Sequence, residues 1–172
     1  GIRFQLDLYI NFRPCRLYDA RLCPLKGKSP ADIDFTIFRE NTEGSYVGIG
    51  GFLKKGTPDE VAIQEEINTY KGVERICRAA FEWAVANGKK KVLMADKSNV
   101  MRYGHDLWQR VFFGLAKEFP SIAASHMFVD ALCMQMVRAP EQFEVIVSNN
   151  MFGDILTDLG AALQGGLGVA GS

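Results

Sequence analysis

The second half of the chain alternates strands with helices, and that pattern constrains the fold more than any other feature. "KVLMAD" at 91–96, "SHMFVD" at 125–130 and "FEVIVS" at 143–148 are short apolar runs of strand length. A segment of helical periodicity follows each, over about 104–118, about 131–138 and about 149–164. Strands separated by helices of this length cannot close as hairpins, so they align in parallel with helices on both faces, giving an α/β fold with a three-layer α/β/α sheet. Ligands of such sheets gather at the carboxyl ends of the strands. Arg39, Asp96 with Lys97, Asp130, and Asn149 with Asn150 all stand at expected strand ends.

The first half is less regular. "LDLYINF" at 6–12 alternates and is rich in aromatics, which predicts a strand ending at Arg13-Pro14, because proline cannot donate to a ladder. Residues 15–30 then read as a loop, and "DIDFTIFRE" at 32–40 as a second strand that delivers Arg39 and Glu40 at its end. Five glycines in 41–60 mark a hairpin or extended arm, with "EEINTYKG" at 65–72 returning along it. Val73, Ile76, Cys77, Ala80, Phe81 and Ala84 share one side of a helix expected over Val73–Ala86 and ended by Gly88.

Twenty basic residues balance twenty acidic ones, which argues against a nucleic-acid surface or a membrane-binding patch. The apolar runs fall short of the roughly 20 residues a membrane span requires, and no targeting segment opens the chain, so it reads as cytoplasmic. Partners are then small molecules or another copy. Cys15, Cys23, Cys77 and Cys133 are too far apart for a CxxC motif and read as free thiols in a reducing compartment. The chain lacks an initial Met and stops in a Gly-rich turn, so a segment of a longer protein is expected.

"NNMFGDILTD" at 149–158 poses a question of charge. Asn149 or Asn150 is a good N-cap, and Phe152, Ile155, Leu156, Leu159 and Leu163 recur at helical spacing. Asp154 and Asp158 therefore share a helix face at a cost of roughly 0.2–0.5 kcal/mol. No Lys or Arg lies anywhere in 149–172 to offset them. Either a cation comes from elsewhere or the pair faces water.

"NFRP", "FRENTEGSYVG", "DKSNVM", "VDALCMQMV" and "NNMFGDILTDLGAALQGGLG", in this order along nearly the whole chain, resemble the β-decarboxylating hydroxyacid dehydrogenases, the isocitrate, isopropylmalate and tartrate dehydrogenase family. The resemblance implies NAD(P)-linked oxidation and decarboxylation of a substituted malate with a divalent metal, Mg²⁺ or Mn²⁺. NAD is favoured over NADP. 3-Isopropylmalate is the first substrate expected, tartrate or D-malate the next, and isocitrate the third.

The same resemblance implies roles. Arg13, Arg21 and Arg39 match substrate-binding arginines, and a dicarboxylate suits their planar, bidentate donors. Tyr46 matches the tyrosine that protonates the enolate, and Lys97 the lysine that removes the hydroxyl proton. Asn99 matches a residue beside the nicotinamide. Asp154 and Asp158 match the metal-ligand helix, and Asp130 a third metal carboxylate contributed across a homodimer. Hard oxygen donors of this kind suit Mg²⁺ or Mn²⁺. His105 and His126 match no family catalytic position and read as structural.

Residues 1–172 would then form a substrate-binding and dimerisation domain with adjoining parts of the cofactor domain, and 41–70 a β arm reaching a second copy. The family's substrate-selecting region would lie upstream and its adenosine-binding loop downstream. A rival reading makes this chain a folded substrate and dimerisation domain with no turnover of its own.

Overall fold

The computed structural model describes residues 2–169, in the order α1 (Ile2–Gln5), β1 (Ile10–Arg16), β2 (Asp34–Glu40), β3 (Gly50–Leu53), β4 (Val61–Gln64), α2 (Tyr70–Ala86), β5 (Lys91–Asp96), α3 (Gly104–Ala116), β6 (Ala123–Phe128), α4 (Val129–Arg138), β7 (Val145–Ser148) and α5 (Asn150–Leu163). Five strands form one sheet in the order β1-β2-β7-β5-β6. β2, β7, β5 and β6 run parallel, and β1 pairs antiparallel with β2 at the edge. β3 and β4 form a separate two-stranded ribbon.

The sheet is the middle of three layers, as its alternating pattern predicts. Val73, Ile76, Phe81 and Ala84 of α2 and Trp108, Val111 and Phe112 of α3 pack with Val92, Met94 and Val147 on one face. Leu132 and Met136 of α4 and Leu156 and Leu163 of α5 cover Phe35, Ile37, Leu93 and Ile146 on the other. Every residue of β7 is buried, as befits a central strand enclosed by helices. Among the described residues no helix is long and apolar enough to cross a membrane.

Several boundaries differ from expectation. β1 begins at Ile10 and continues through Pro14 to Arg16, with Pro14 opposite Thr36. Proline is tolerated there because β1 is an edge strand, where one side of the ladder is unpaired. The return strand of the arm is Val61–Gln64, ahead of "EEINTYKG", whose last three residues already belong to α2. α2 starts early because Thr69 caps it, accepting a hydrogen bond from the Gly72 N–H at 3.0 Å, while Glu43 accepts from the Thr69 N–H at 2.9 Å. Asp130 lies in the first turn of α4 and not in a strand.

Candidate functional site

The parallel strands β2, β7, β5 and β6 present their carboxyl ends on the same side of the sheet, and the polar residues collect there. Arg39 of β2, Ser148 of β7 and Ala95 of β5 form one row across the sheet.

The first cluster grows from Arg39. Its side chain points to the α5 face and is 5% exposed. Nη1 donates to Asp154 Oδ1 at 2.5 Å, while Nε and Nη2 donate to Asn150 Oδ1 at 3.1 and 2.8 Å. The arginine stem lies along Gly153, where an added Cβ would fall 2.5 Å from Arg39 Cγ, so the bare glycine admits the stem against the helix. Asn149 caps α5 by accepting from the Phe152 N–H at 2.9 Å. Asn150 donates from Nδ2 to the Glu43 carbonyl at 3.0 Å and so ties α5 to the loop after β2. Gly44, at φ +77° and ψ −148°, takes a positive-φ conformation open chiefly to glycine, which lets this loop close onto Asn150.

The loop brings Tyr46 onto the cluster. The Tyr46 hydroxyl donates to Asp154 Oδ2 at 2.6 Å, and the Arg39 guanidinium carbon lies 5.4 Å from the ring centroid. Both carboxylate oxygens of Asp154 are thus engaged. The cation missing from the α5 sequence is supplied to Asp154 by Arg39. Asp158 is exposed one turn further along and makes no ion pair among the described residues.

The second cluster belongs to β5 and α4. Lys97, just beyond β5, donates from Nζ to Asp130 Oδ1 at 2.5 Å, and its ammonium lies 5.6 Å from the Phe128 ring centroid. The hydrogen bond and charge of Lys97 hold the Asp130 carboxyl below its ordinary pKa. β7 stands between β2 and β5, so about 10 Å of sheet parts the two clusters' backbones.

The remaining arginines lie apart in different ways. Arg13 is opposite Ile37 and therefore on the same face as Arg39, with Nε donating to Asn11 Oδ1 at 3.0 Å. Arg21 is exposed on the turn Ala20–Leu22 and pairs with its own neighbour Asp19 at 2.5 Å. Leu22 beside it packs on Gly165, past the C-terminal end of α5, whereas Arg39 and Asp154 meet near the N-terminal end. Asn99 is exposed in the turn after β5.

Asp154 and Asp158 offer oxygen donors on one helix face, the chemistry a hard divalent cation takes. Two carboxylates leave most of a six-oxygen shell to substrate, water or another chain. Among the described residues no three His, Cys, Asp or Glu side chains converge on a common metal position. The donor set fits such a cation in kind.

Sequence alone assigns neither Asn150 nor His105 a role in the site. Asn150 reads there as one of two candidate caps, yet it is wholly buried and orients Arg39. His105, also wholly buried, accepts from the Lys97 N–H at 2.9 Å. A lone histidine in an apolar helix gives no sign of such a partner.

The family described as isocitrate/isopropylmalate dehydrogenase matches residues 1–172. The chain is 47% identical over 171 residues to the 3-isopropylmalate dehydrogenase of Thermobifida fusca, covering 99% of this chain and 48% of that protein. It is 45% identical over 170 residues to the D-malate dehydrogenase [decarboxylating] of Escherichia coli, covering 99% and 47%. The crystal structure of isocitrate dehydrogenase from Methylococcus capsulatus superposes with a TM-score of 0.90 at 38% identity, covering 98% of this chain and 48% of that one. The chain thus spans about half the length of the curated relatives it matches. With its sequence matched from end to end and its fold shared, the chain belongs to the isocitrate/isopropylmalate dehydrogenase family.

Proposed function

We propose that the full-length protein is a cytoplasmic, metal-dependent NAD(P)-linked oxidative decarboxylase of a substituted malate, with 3-isopropylmalate the first choice of substrate. The observation that carries this reading is the arrangement at the carboxyl ends of the strands: Arg39, Tyr46 and Asp154 in one cluster, Lys97 and Asp130 in another. The similarity to a 3-isopropylmalate dehydrogenase supports the substrate, and the nearly equal similarity to a D-malate dehydrogenase keeps D-malate or tartrate next, with isocitrate third.

In this reading Arg39 and Arg13, on one face of the sheet, bind the substrate carboxylates through their guanidinium donors, and Arg21, which the resemblance adds to them, would have to leave Asp19 and reach back from beyond the end of α5. Asp154 and Asp158 of one copy and Asp130 of a second copy would hold Mg²⁺ or Mn²⁺. When bound, the cation would supply positive charge to the substrate oxygens and NAD would supply the hydride acceptor, with Asn99 among the residues that would hold it. Lys97 from the second copy takes the hydroxyl proton. Carbon dioxide is then lost, and Tyr46 delivers a proton from its hydroxyl to the enolate carbon. Arg39 and Asp154 orient that hydroxyl before it acts.

Residues 1–172 would form the substrate-binding and dimerisation domain with adjoining parts of the cofactor domain. The exposed β3–β4 ribbon within 41–70 would pair with a second copy across a two-fold axis.

The test is an absorbance assay for NADH with Mn²⁺, NAD⁺ and each of 3-isopropylmalate, D-malate, tartrate and isocitrate. NADH formation with one of them by the full-length protein is expected. Its absence with all four, in protein shown to be folded and to bind Mn²⁺, would overturn the reading. The same assay on residues 1–172 alone separates a working enzyme from a domain without turnover.

A further inference from the structure

We infer that His105 is a positioning residue for Lys97, and that through Glu66 and Asn149 it ties this lysine to the root of the β3–β4 arm and to the helix that carries Asp154 and Asp158. The inference rests on the role proposed above for Lys97.

His105 is the second residue of α3, wholly buried, with its ring edge-on to Phe152 at 5.5 Å between centroids. The Lys97 N–H donates to Nδ1 at 2.9 Å. A backbone amide can only donate, so Nδ1 carries no proton and the ring proton sits on Nε2. Nε2 faces Glu66 Oε1 at 3.4 Å, and the same carboxylate oxygen accepts from Asn149 Nδ2 at 2.9 Å.

Three elements meet at this ring. Glu66 follows β4 by two residues, so it marks where the arm joins the body. Asn149 is the N-cap of α5. Lys97 is the first residue past β5. The start of α3 is itself held in place: Trp108 Nε1 donates to Asn68 Oδ1 at 2.8 Å, and Gly104 lies so close to Asn68 that a Cβ would fall 2.5 Å from its amide nitrogen.

The other side of Lys97 is fixed as well. The Ser98 N–H donates to Asp96 Oδ1 at 3.2 Å. That wholly buried carboxylate is held in turn by His126 Nε2 at 2.6 Å and Gln109 Nε2 at 2.7 Å. A lysine ammonium rides on a flexible four-carbon stem, so the fold controls its reach chiefly by fixing where the backbone starts. The peptide groups on both sides of Lys97 are bonded to buried side chains, which is the control that a proton-accepting lysine requires. Misplacing a reacting group by 1 Å costs about 10²-fold in rate.

The test uses the full-length protein with Mn²⁺, NAD⁺ and the substrate the NADH assay selects. His105→Leu removes the acceptor at similar bulk, and His105→Asn places an amide oxygen near the position of Nδ1. His105→Leu is expected to lower kcat about 10- to 100-fold, with KM changed less than about threefold and with a fast-exchanging Lys97 amide hydrogen. His105→Asn is expected to restore most of kcat and the amide's protection. In a Lys97→Ala background, His105→Leu is expected to add no further loss.

Equal losses with and without Lys97 would overturn the positioning role while leaving the proposed function in place. A Lys97 amide that exchanges freely in the unaltered protein would overturn the hydrogen bond itself, whatever the turnover. Full activity of Lys97→Ala would remove the assignment of Lys97, and the role of His105 with it.

Discussion

Arg39 Nη1 and Asp154 Oδ1 meet at 2.5 Å and join the end of β2 to the start of α5 across 115 positions of sequence. The arginine is buried and the aspartate about half exposed, at 5% and 46%. Asp154→Asn is therefore expected to remain folded at a cost of about 1–2 kcal/mol, below that of breaking a fully buried pair, because water reaches the aspartate side. Calorimetry with Mn²⁺ and substrate is expected to lose the metal-binding heat in this variant. An unchanged titration would take Asp154 out of the ligand set.

Gly153→Ala tests the seat of Arg39. Alanine favours a helix by about 1 kcal/mol over glycine, while overpacking costs about 1–3 kcal/mol. Its Cβ would lie 2.5 Å from Arg39 Cγ and 2.7 Å from Arg39 Cβ, so the arginine has to move. A net loss of about 1 kcal/mol in urea melts and a rise of about tenfold in substrate KM are expected. If KM stays constant, Arg39 does not hold the substrate.

Tyr46→Phe keeps the ring beside the Arg39 guanidinium and removes only the hydroxyl that donates to Asp154. Hydride transfer does not need that hydroxyl, but protonation of the enolate does. Single-turnover kinetics are expected to show NADH formation within a few-fold of normal and formation of the final keto product slowed by about 10²-fold. Equal slowing of both steps would contradict the assignment.

The separation of the two clusters can be tested by mixing subunits. Lys97→Ala and Asp154→Asn homodimers are each expected to be nearly inactive. In a mixed dimer with composite sites, one site collects both defects and the other neither, so activity is expected to return to about half that of the unaltered dimer. A purified heterodimer that stays inactive would show that Lys97 serves its own chain's site.

Burial pushes the Cys15 thiol up to about 12 from an ordinary 9.0, and it raises wholly buried Cys77 as well. In the unfolded chain these thiols lose their protons near pH 9, whereas the folded protein retains them. Their contribution to stability is therefore complete below pH 9 and falls as pH rises toward 12. Urea midpoints are expected to drop between pH 8 and pH 10. At pH 8 a thiol reagent is expected to label half-buried Cys23 before Cys15 or Cys77. Prompt labelling of Cys15 in the folded protein would contradict this.

Local physics was legible in the sequence wherever one element decides its own form. The apolar runs that became β5 and β7, the helical spacing of α2 and α5, and an Asn cap at 149 or 150 depend on side-chain periodicity and nearby backbone bonds, and a linear reading recovers these. The family motifs likewise made the candidate residues recognisable before any of them had a position.

What tertiary structure alone decided is which distant groups meet. Pro14 sits inside a strand because β1 falls at the edge of the sheet, which no local pattern records. Asp154 finds its cation in Arg39, Lys97 pairs with Asp130, and a histidine with no local sign of a partner becomes the acceptor for the Lys97 backbone. The strand order sets these pairings by stacking the carboxyl ends of β2, β7, β5 and β6 side by side. Strand order is a property of long-range packing, in which each buried polar group must find its partner wherever the sheet has carried it.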